Sequence, residues 1–168
     1  MRNMEIKKHL NEYADLVEKI KRSRERLEMI NAALENKAIE LDGQPKGNQR
    51  LNHVEKAVMR LIEAKERLAK QIIMAEDLRQ KISDEIEMVP EPTYKELLFS
   101  RYILLLTWEG VTDRVSEVRR KKKKSDRFER YSASHVMGPM HGRALRSFEN
   151  CMKEKETQNE NTDRSSYI

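Results

Sequence analysis

From Ile6 onward, apolar residues recur at alternating steps of four and three: Leu10, Tyr13, Val17, Ile20, then Leu27, Leu34 and Leu41, with Arg24, Asn31 and Ala38 at the remaining positions. A heptad stripe of this kind predicts a helix with one narrow face that must pair with another helix. A second stripe runs through Leu51, Val54, Val58, Leu61, Lys65, Leu68, Ile72, Ala75, Arg79, Ile82, Ile86 and Val89. Between the two lies Asp42-Gly43-Gln44-Pro45-Lys46-Gly47-Asn48, whose glycines and proline stop a helix. The two helices match in length, about 36 to 39 residues rising ~1.5 Å each. We therefore expect an antiparallel coiled-coil hairpin over residues 1–89, with its loop at 42–50. Arg24, Asn31, Lys65 and Arg79 weaken the stripes. They read as register devices or as side chains snorkelling outward, with a partner-binding surface as the alternative.

The pattern changes at Pro90-Glu91-Pro92, which cannot continue a helix. Thr93 to Glu96 has the form of a capping box, with Thr93 as N-cap. Leu97, Leu98, Arg101, Tyr102, Leu105 and Leu106 follow at helical spacings, and Phe99 and Ile103 widen the apolar face. Thr107 is placed to cap a short helix from Trp108 to about Val115, with Trp108, Val111 and Val115 on one face. Ser132 or Ser134 is placed to cap a third helix carrying Val136, Met140, Ala144, Leu145 and Phe148. Three short helices around one apolar centre predict a small domain of the helix-turn-helix kind over 90–152. The polar stretch 153–168 reads as a disordered tail. The expected fold class is all-α.

Composition narrows the function. Of 168 residues, 38% are charged and 5% aromatic, and the mean hydropathy is −0.88, which is too polar for a large enzyme core. Cys151 is the sole cysteine and no apolar stretch follows Met1-Arg2-Asn3, so the cytoplasm of the cell is the expected compartment. The run Leu97 to Trp108 is shorter than the ~20 residues that span a bilayer and reads as a buried helix. No glycine-rich phosphate loop follows a strand, His135 and His141 have no thiolate nearby, and Cys151 has no activating base in its neighbourhood. We expect no cofactor, no metal and no enzymatic activity.

Charge is distributed unevenly. Residues 1–90 hold 18 Lys and Arg against 17 Asp and Glu, whereas residues 91–168 hold 16 against 12. Between Arg114 and Arg146 there are 11 basic residues and only Glu117, Asp126 and Glu129 to oppose them. Such a concentration either attracts a polyanion, releasing its condensed counterions, or serves as a solvated linker.

The run Tyr94-Lys95-Glu96-Leu97-Leu98-Phe99-Ser100-Arg101-Tyr102-Ile103, the step Leu106-Thr107-Trp108-Glu109, and the later Tyr131-Ser132-Ala133-Ser134-His135-Val136 with His141-Gly142-Arg143-Ala144-Leu145 resemble phage-encoded sigma-70 region-4-like regulators, the group of ArpU- and RinA-type late-gene activators. Gln44-Pro45-Lys46-Gly47 and Val54 to Ile62 are similar to the arm of those proteins. The resemblance implies a phage or prophage transcription regulator that binds double-stranded promoter DNA and touches host RNA polymerase. In such a domain the second helix of the motif enters the major groove by its N-terminal end. Here that end offers Ser132, Ser134, His135 and Met137 for base reading. Arg143 and Arg146, further along, would contact phosphates, as would the basic insertion at 116–130 through Arg119, Arg120, Lys121, Lys122, Lys123, Lys124, Arg127 and Arg130. His141 reads either as a phosphate donor or as a neutral packing residue.

Two departures from the family pattern stand out. The insertion at 116–130 replaces a short turn, and Gly138-Pro139 falls inside the recognition helix, which must then begin near Pro139 or be kinked. The coiled coil implies a homo-oligomer. The competing reading is a coiled-coil interaction protein, a phage adaptor or inhibitor of a host complex, whose basic segment touches RNA or an acidic protein. A membrane-surface helix is disfavoured, because no apolar face interleaves the basic run.

Overall fold

The computed structural model describes residues 2–40, 48–123 and 130–165, and these are helical almost throughout, with no strand among them. Helix α1 spans Arg2–Glu40 and α2 spans Asn48–Glu87. Of the expected loop at 42–50, residues 42–47 lie outside the described residues, while 48–50 already belong to α2, because one more turn on an existing helix costs little; Leu41 and the side chains of Ala38, Leu51 and Val54 also lie outside. None of the described helices is long and apolar enough to cross a membrane. Packing divides the chain into Asp15–Asp77 and a second unit of Met1–Ala14 with Leu78–Ile168. The boundary drawn at Pro90 therefore does not separate the packing units: both the start of α1 and the end of α2 belong with the helices beyond the prolines.

In the unit Asp15–Asp77, Ile20 and Ala75 are buried, and Val17, Leu27, Leu34, Leu61 and Leu68 are half-buried. Ile30, Ala33 and Leu34 of α1 line one hollow with Ala57 and Arg60 of α2. Ser23, Arg26 and Ile30 line another with Arg60, Glu63, Ala64 and Arg67. The stripe on α1 follows the expected one, except that Arg24 is exposed and Ser23 turns inward in its place.

On α2 the inward stripe is Ala57, Leu61, Ala64, Leu68, Gln71 and Ala75. Every second position thus sits one residue before the expected Val58, Lys65 and Ile72, and those three are exposed. The cause is side-chain size. Alanines allow closer approach of the two backbones and greater dispersion contact, although they add little to a hydropathy pattern. Gln71 accompanies them with its Oε1 buried and without a hydrogen-bond partner among the described residues.

The other unit has a continuous core. Leu10 of α1 and Ile82, Ile86 and Val89 at the end of α2 pack with Leu97, Leu98, Tyr102, Ile103, Val111, Val115, Val136, Met140, Ala144, Leu145 and Phe148. His9 of α1 and the buried Glu85 of α2 share a hydrogen bond of 2.7 Å. Helix α3 (Pro92–Leu98) follows the prolines, with Glu91 rather than Thr93 as its N-cap and Pro92 in the first turn. Proline there loses nothing, since its missing N–H is unpaired at a helix start anyway. The capping box does not form: Thr93 Oγ1 donates to Glu91, while Glu96 accepts from Ser100 and Arg114 and so ties α3 to the next helix.

A π-helical turn, Phe99–Ile103, extends α3, and the chain leaves the helix at Leu104. Leu105 and Leu106 do not continue it, contrary to the expected spacing. Leu105 has φ 54°, the left-handed conformation that a Cβ disfavours. Leu104 has φ −82° and the same 39% exposure. Leu105→Gly should hold or raise stability by up to ~1 kcal/mol, whereas Leu104→Gly should lower it by ~1 kcal/mol. Urea unfolding of the two variants side by side measures the difference, and equal losses would show that Leu105 is not strained.

Helix α4 covers Trp108–Lys123. It is twice the expected length, because the first half of the basic segment, 116–123, continues the helix instead of forming a turn. Arg and Lys are good helix formers, and adding a residue to an existing helix costs little. Thr107 caps α4 as expected, its Oγ1 accepting from the Gly110 N–H at 3.4 Å.

The last helical run comprises α5 (Ala133–His135), a π turn (Val136–Met140) and α6 (His141–Ser165). It neither begins near Pro139 nor leaves His135 and Val136 in a loop. The widened π turn takes in Pro139, whose ring would clash with the preceding turn of a regular α-helix. Residues 153–165 are helical rather than disordered. They extend a helix already nucleated by packing, helped by the i, i+4 pair of Glu149 and Lys153.

Candidate nucleic-acid interface

The described residues expected to meet DNA come from α4, from the segment 130–132 and from the α5–α6 run. Ser132 precedes α5 with extended backbone, and its Oγ accepts from the His135 N–H at 3.3 Å, so it is the N-cap. Ser134 Oγ lies 3.2 Å from Ser132 Oγ. The cap places Tyr131 just outside the helix and His135 one turn in, with their rings stacked at 5.6 Å and 11°. Arg119 of α4 covers the Tyr131 ring, its Cζ 4.5 Å from the centroid. Tyr131 is itself held by its backbone N–H donating to Ser116 Oγ at 3.1 Å. Guanidinium and imidazole thus both stack on the Tyr131 phenol, joining α4 to the start of α5. Such stacking fixes the direction of the guanidinium donors at little entropic cost.

The four residues assigned to base reading come together at this helix start. Ser132, Ser134 and Met137 are exposed, Met137 at 51%, and His135 is half-buried under Tyr131. Two turns on, Arg143 and Arg146 project from α6 opposite Ala144, Leu145 and Phe148, which enter the core. Both arginines are exposed and make no ion pair among the described residues.

The basic segment is less available than its composition implies. Arg114 pairs with Glu96, Arg120 with Glu117 at 2.7 Å, and Arg130 with Asp113. Each of these arginines must exchange a carboxylate for a phosphate before it contributes to binding. Lys121 is exposed, with no ion pair among the described residues. Lys122 and Lys123 lie on α4, and Lys124 and Arg127 lie outside the described residues.

Tyr131 and Asp113 escaped the sequence reading. The i, i+4 spacing of Tyr131 and His135 is a legible signal, once Ser132 is taken as the cap. Arg119, 12 residues before Tyr131 in the chain, joins them only through tertiary packing.

A second polar cluster is buried and belongs to the core. His141, 7% exposed, shares a hydrogen bond of 2.9 Å with the Tyr102 hydroxyl and meets Trp108 edge-on at 5.0 Å. Arg101 lies over the other ring system of this cluster, 4.9 Å from the Trp108 centroid, and donates to the Leu106 carbonyl at 2.8 Å. Burial, with Lys7 and Arg101 nearby, pulls the His141 imidazole down to about 4 from its usual 6.5. It is a neutral packing group, so phosphate donation by His141 is set aside. Burial pushes the Tyr102 phenol up to about 12, against the opposing effect of Arg101.

Cys151 is half-buried, and its thiol donates to the Met88 carbonyl at 3.5 Å. Burial, then Glu154, pushes its pKa up, so little of it is the nucleophilic thiolate at neutral pH. Among the described residues no three His, Cys, Asp or Glu side chains gather to hold a metal ion. No family model, curated protein or solved structure matches the chain.

Proposed function

We propose that the protein is a DNA-binding transcription regulator of phage or prophage origin, working in the bacterial cytoplasm, with promoter duplex as its ligand and host RNA polymerase as a second partner. In this reading α4 and the α5–α6 run act as a helix-turn-helix of the sigma-region-4 kind. Helices α1 and α2 form an antiparallel coiled-coil hairpin through which copies of the chain associate. The observation that carries the reading is the capped helix start. It exposes Ser132, Ser134 and Met137 beside the half-buried His135, and Arg143 and Arg146 follow, exposed, on the same run without carboxylate partners among the described residues. Small hydrogen-bonding side chains at a helix N-terminus suit base edges, and exposed arginines further along the same run suit the flanking phosphates. The packing of α4 against α5 and the π turn supports it, since the first helix of such a motif must brace the second.

Fluorescence anisotropy with duplexes of about three helical turns, titrated across a range of salt, tests this. The double variant Arg143→Ala/Arg146→Ala should bind roughly tenfold or more weakly and should lower the log–log salt slope by about two. Ser134→Ala or His135→Ala should instead change the ranking of sequences. A wild-type chain with no affinity for any duplex at low salt, or a double variant that binds as the wild type does, would overturn the reading in favour of an interaction protein.

A further inference from the structure

Helix α2 carries more apolar surface than its partner stripe uses. Val58 is 41% exposed, Met59 57%, Ile62 51%, Ile72 40% and Ile73 62%, and Ala69 is exposed among them. At 100° per residue these six lie on one side of the helix, about a third of a turn round from the stripe of Ala57, Leu61, Ala64, Leu68 and Ala75. A helix with two apolar faces has two neighbours.

The spacing of the exposed face is palindromic. Read from its midpoint outward, Ile62 answers Ala69, Met59 answers Ile72 and Val58 answers Ile73, each pair equidistant from the bond between residues 65 and 66. Lys65 and Glu66 occupy that midpoint, both exposed and neither making an ion pair among the described residues. A face that reads the same in both directions is self-complementary when two copies run antiparallel. We infer that this face of α2 binds the same face of a second copy of the chain, antiparallel, about a two-fold axis between Lys65 and Glu66.

In that register each apolar residue meets an apolar residue. Lys65 of each copy faces Glu66 of the other, so two ion pairs form at the axis. A parallel pairing would set Lys65 against Lys65 and Glu66 against Glu66. The antiparallel arrangement also sets Glu55 against Glu76 at each end, two like-charge contacts that weaken the pairing. Two such faces bury about 1,000 Å², near the lower limit for a specific interface. The association is accordingly weak and concentration-dependent, in the micromolar range. The inference gives the oligomer proposed above a surface and a register, and it does not depend on DNA binding. It is read by mass, whereas the regulator reading is read by duplex affinity, so each can fail without the other.

Sedimentation equilibrium of the full chain over about 1–500 µM should show mass rising from one chain to two. Lys65→Glu should raise the dissociation constant at least tenfold by placing Glu against Glu66 twice, and Lys65→Glu/Glu66→Lys should restore it. In a Cys151→Ser background, Ile62→Cys/Ala69→Cys should oxidise to a covalent dimer, and Ile62→Cys alone should not. A chain monomeric at every concentration overturns the inference, as does a dimer indifferent to Lys65→Glu or one that Ile62→Cys alone cross-links. Capture of the face by another protein would appear as the first of these.

Discussion

Phe148→Ala is expected to cost about 3–5 kcal/mol of folding stability, the usual loss for a buried phenyl ring. Phe148 is 1% exposed and heads the fully buried side chains by volume. The core cluster it belongs to draws on α1, α2, α3, α4 and the last helical run. The helix that carries it is also pinned on either side, by the His141–Tyr102 hydrogen bond and by the Cys151 thiol on the Met88 carbonyl. Trp108, the one tryptophan, packs against the same core, so its fluorescence during denaturant unfolding reports this unit separately from the helices of Asp15–Asp77. Met137→Ala, on the same run but 51% exposed, should stay within about 0.5 kcal/mol of wild type. A Phe148→Ala loss below about 1.5 kcal/mol would mean that the core collapses readily around the gap.

Much of this core was legible in the sequence, because Val111, Val115, Val136, Met140, Ala144, Leu145 and Phe148 fall at helical spacings with strong apolar contrast. What misled was local chemistry that tertiary contact outweighs. Thr93 to Glu96 has the form of a capping box, yet Glu96 finds two stronger donors in Ser100 and Arg114. The basic run looks like a loop, yet arginines and lysines extend a helix readily once Val111 and Val115 anchor it. Pro139 looks like a helix breaker, and a π turn takes it in.

The stripe on α2 misled for a different reason. Hydropathy favoured Val58 and Ile72 over Ala57 and Gln71, since a pattern search takes the largest apolar residue as the inward one. Where a helix has two apolar faces, the small residues show which faces the nearer backbone. The candidate interface divides along the same line. Spacing narrows the cap to Ser132 or Ser134 and places the outward arginines, whereas the choice of Ser132 needs its hydrogen bond from the His135 N–H and the Arg119–Tyr131–His135 stack needs α4 to be brought alongside α5.

Stability of this unit should fall by about 2 kcal/mol between pH 7 and pH 5 through His141 alone, and by about 3 kcal/mol on approaching pH 4. Held at about 4, the native imidazole stays neutral over a range in which the unfolded chain, with the ordinary value near 6.5, takes up a proton. The unfolded state then binds more protons, so stability rises with pH across that window, is complete above 6.5 and levels off below 4. The groups that resist protonation are specific: burial against Trp108 and Tyr102, then the charges of Lys7 and Arg101. His141→Gln keeps a polar group for the Tyr102 hydroxyl but has nothing to titrate. Its Trp108-monitored unfolding should lose that 2 kcal/mol dependence between pH 7 and pH 5, even though its stability at pH 7 drops with the lost ring contact. If the variant's stability still declines with pH as steeply as the wild type's, the acid sensitivity belongs to groups outside this cluster. Because Arg143 and Arg146 share α6 with His141, the proposed duplex binding should weaken with acid in the wild type only where the Trp108 transition shows the unit opening.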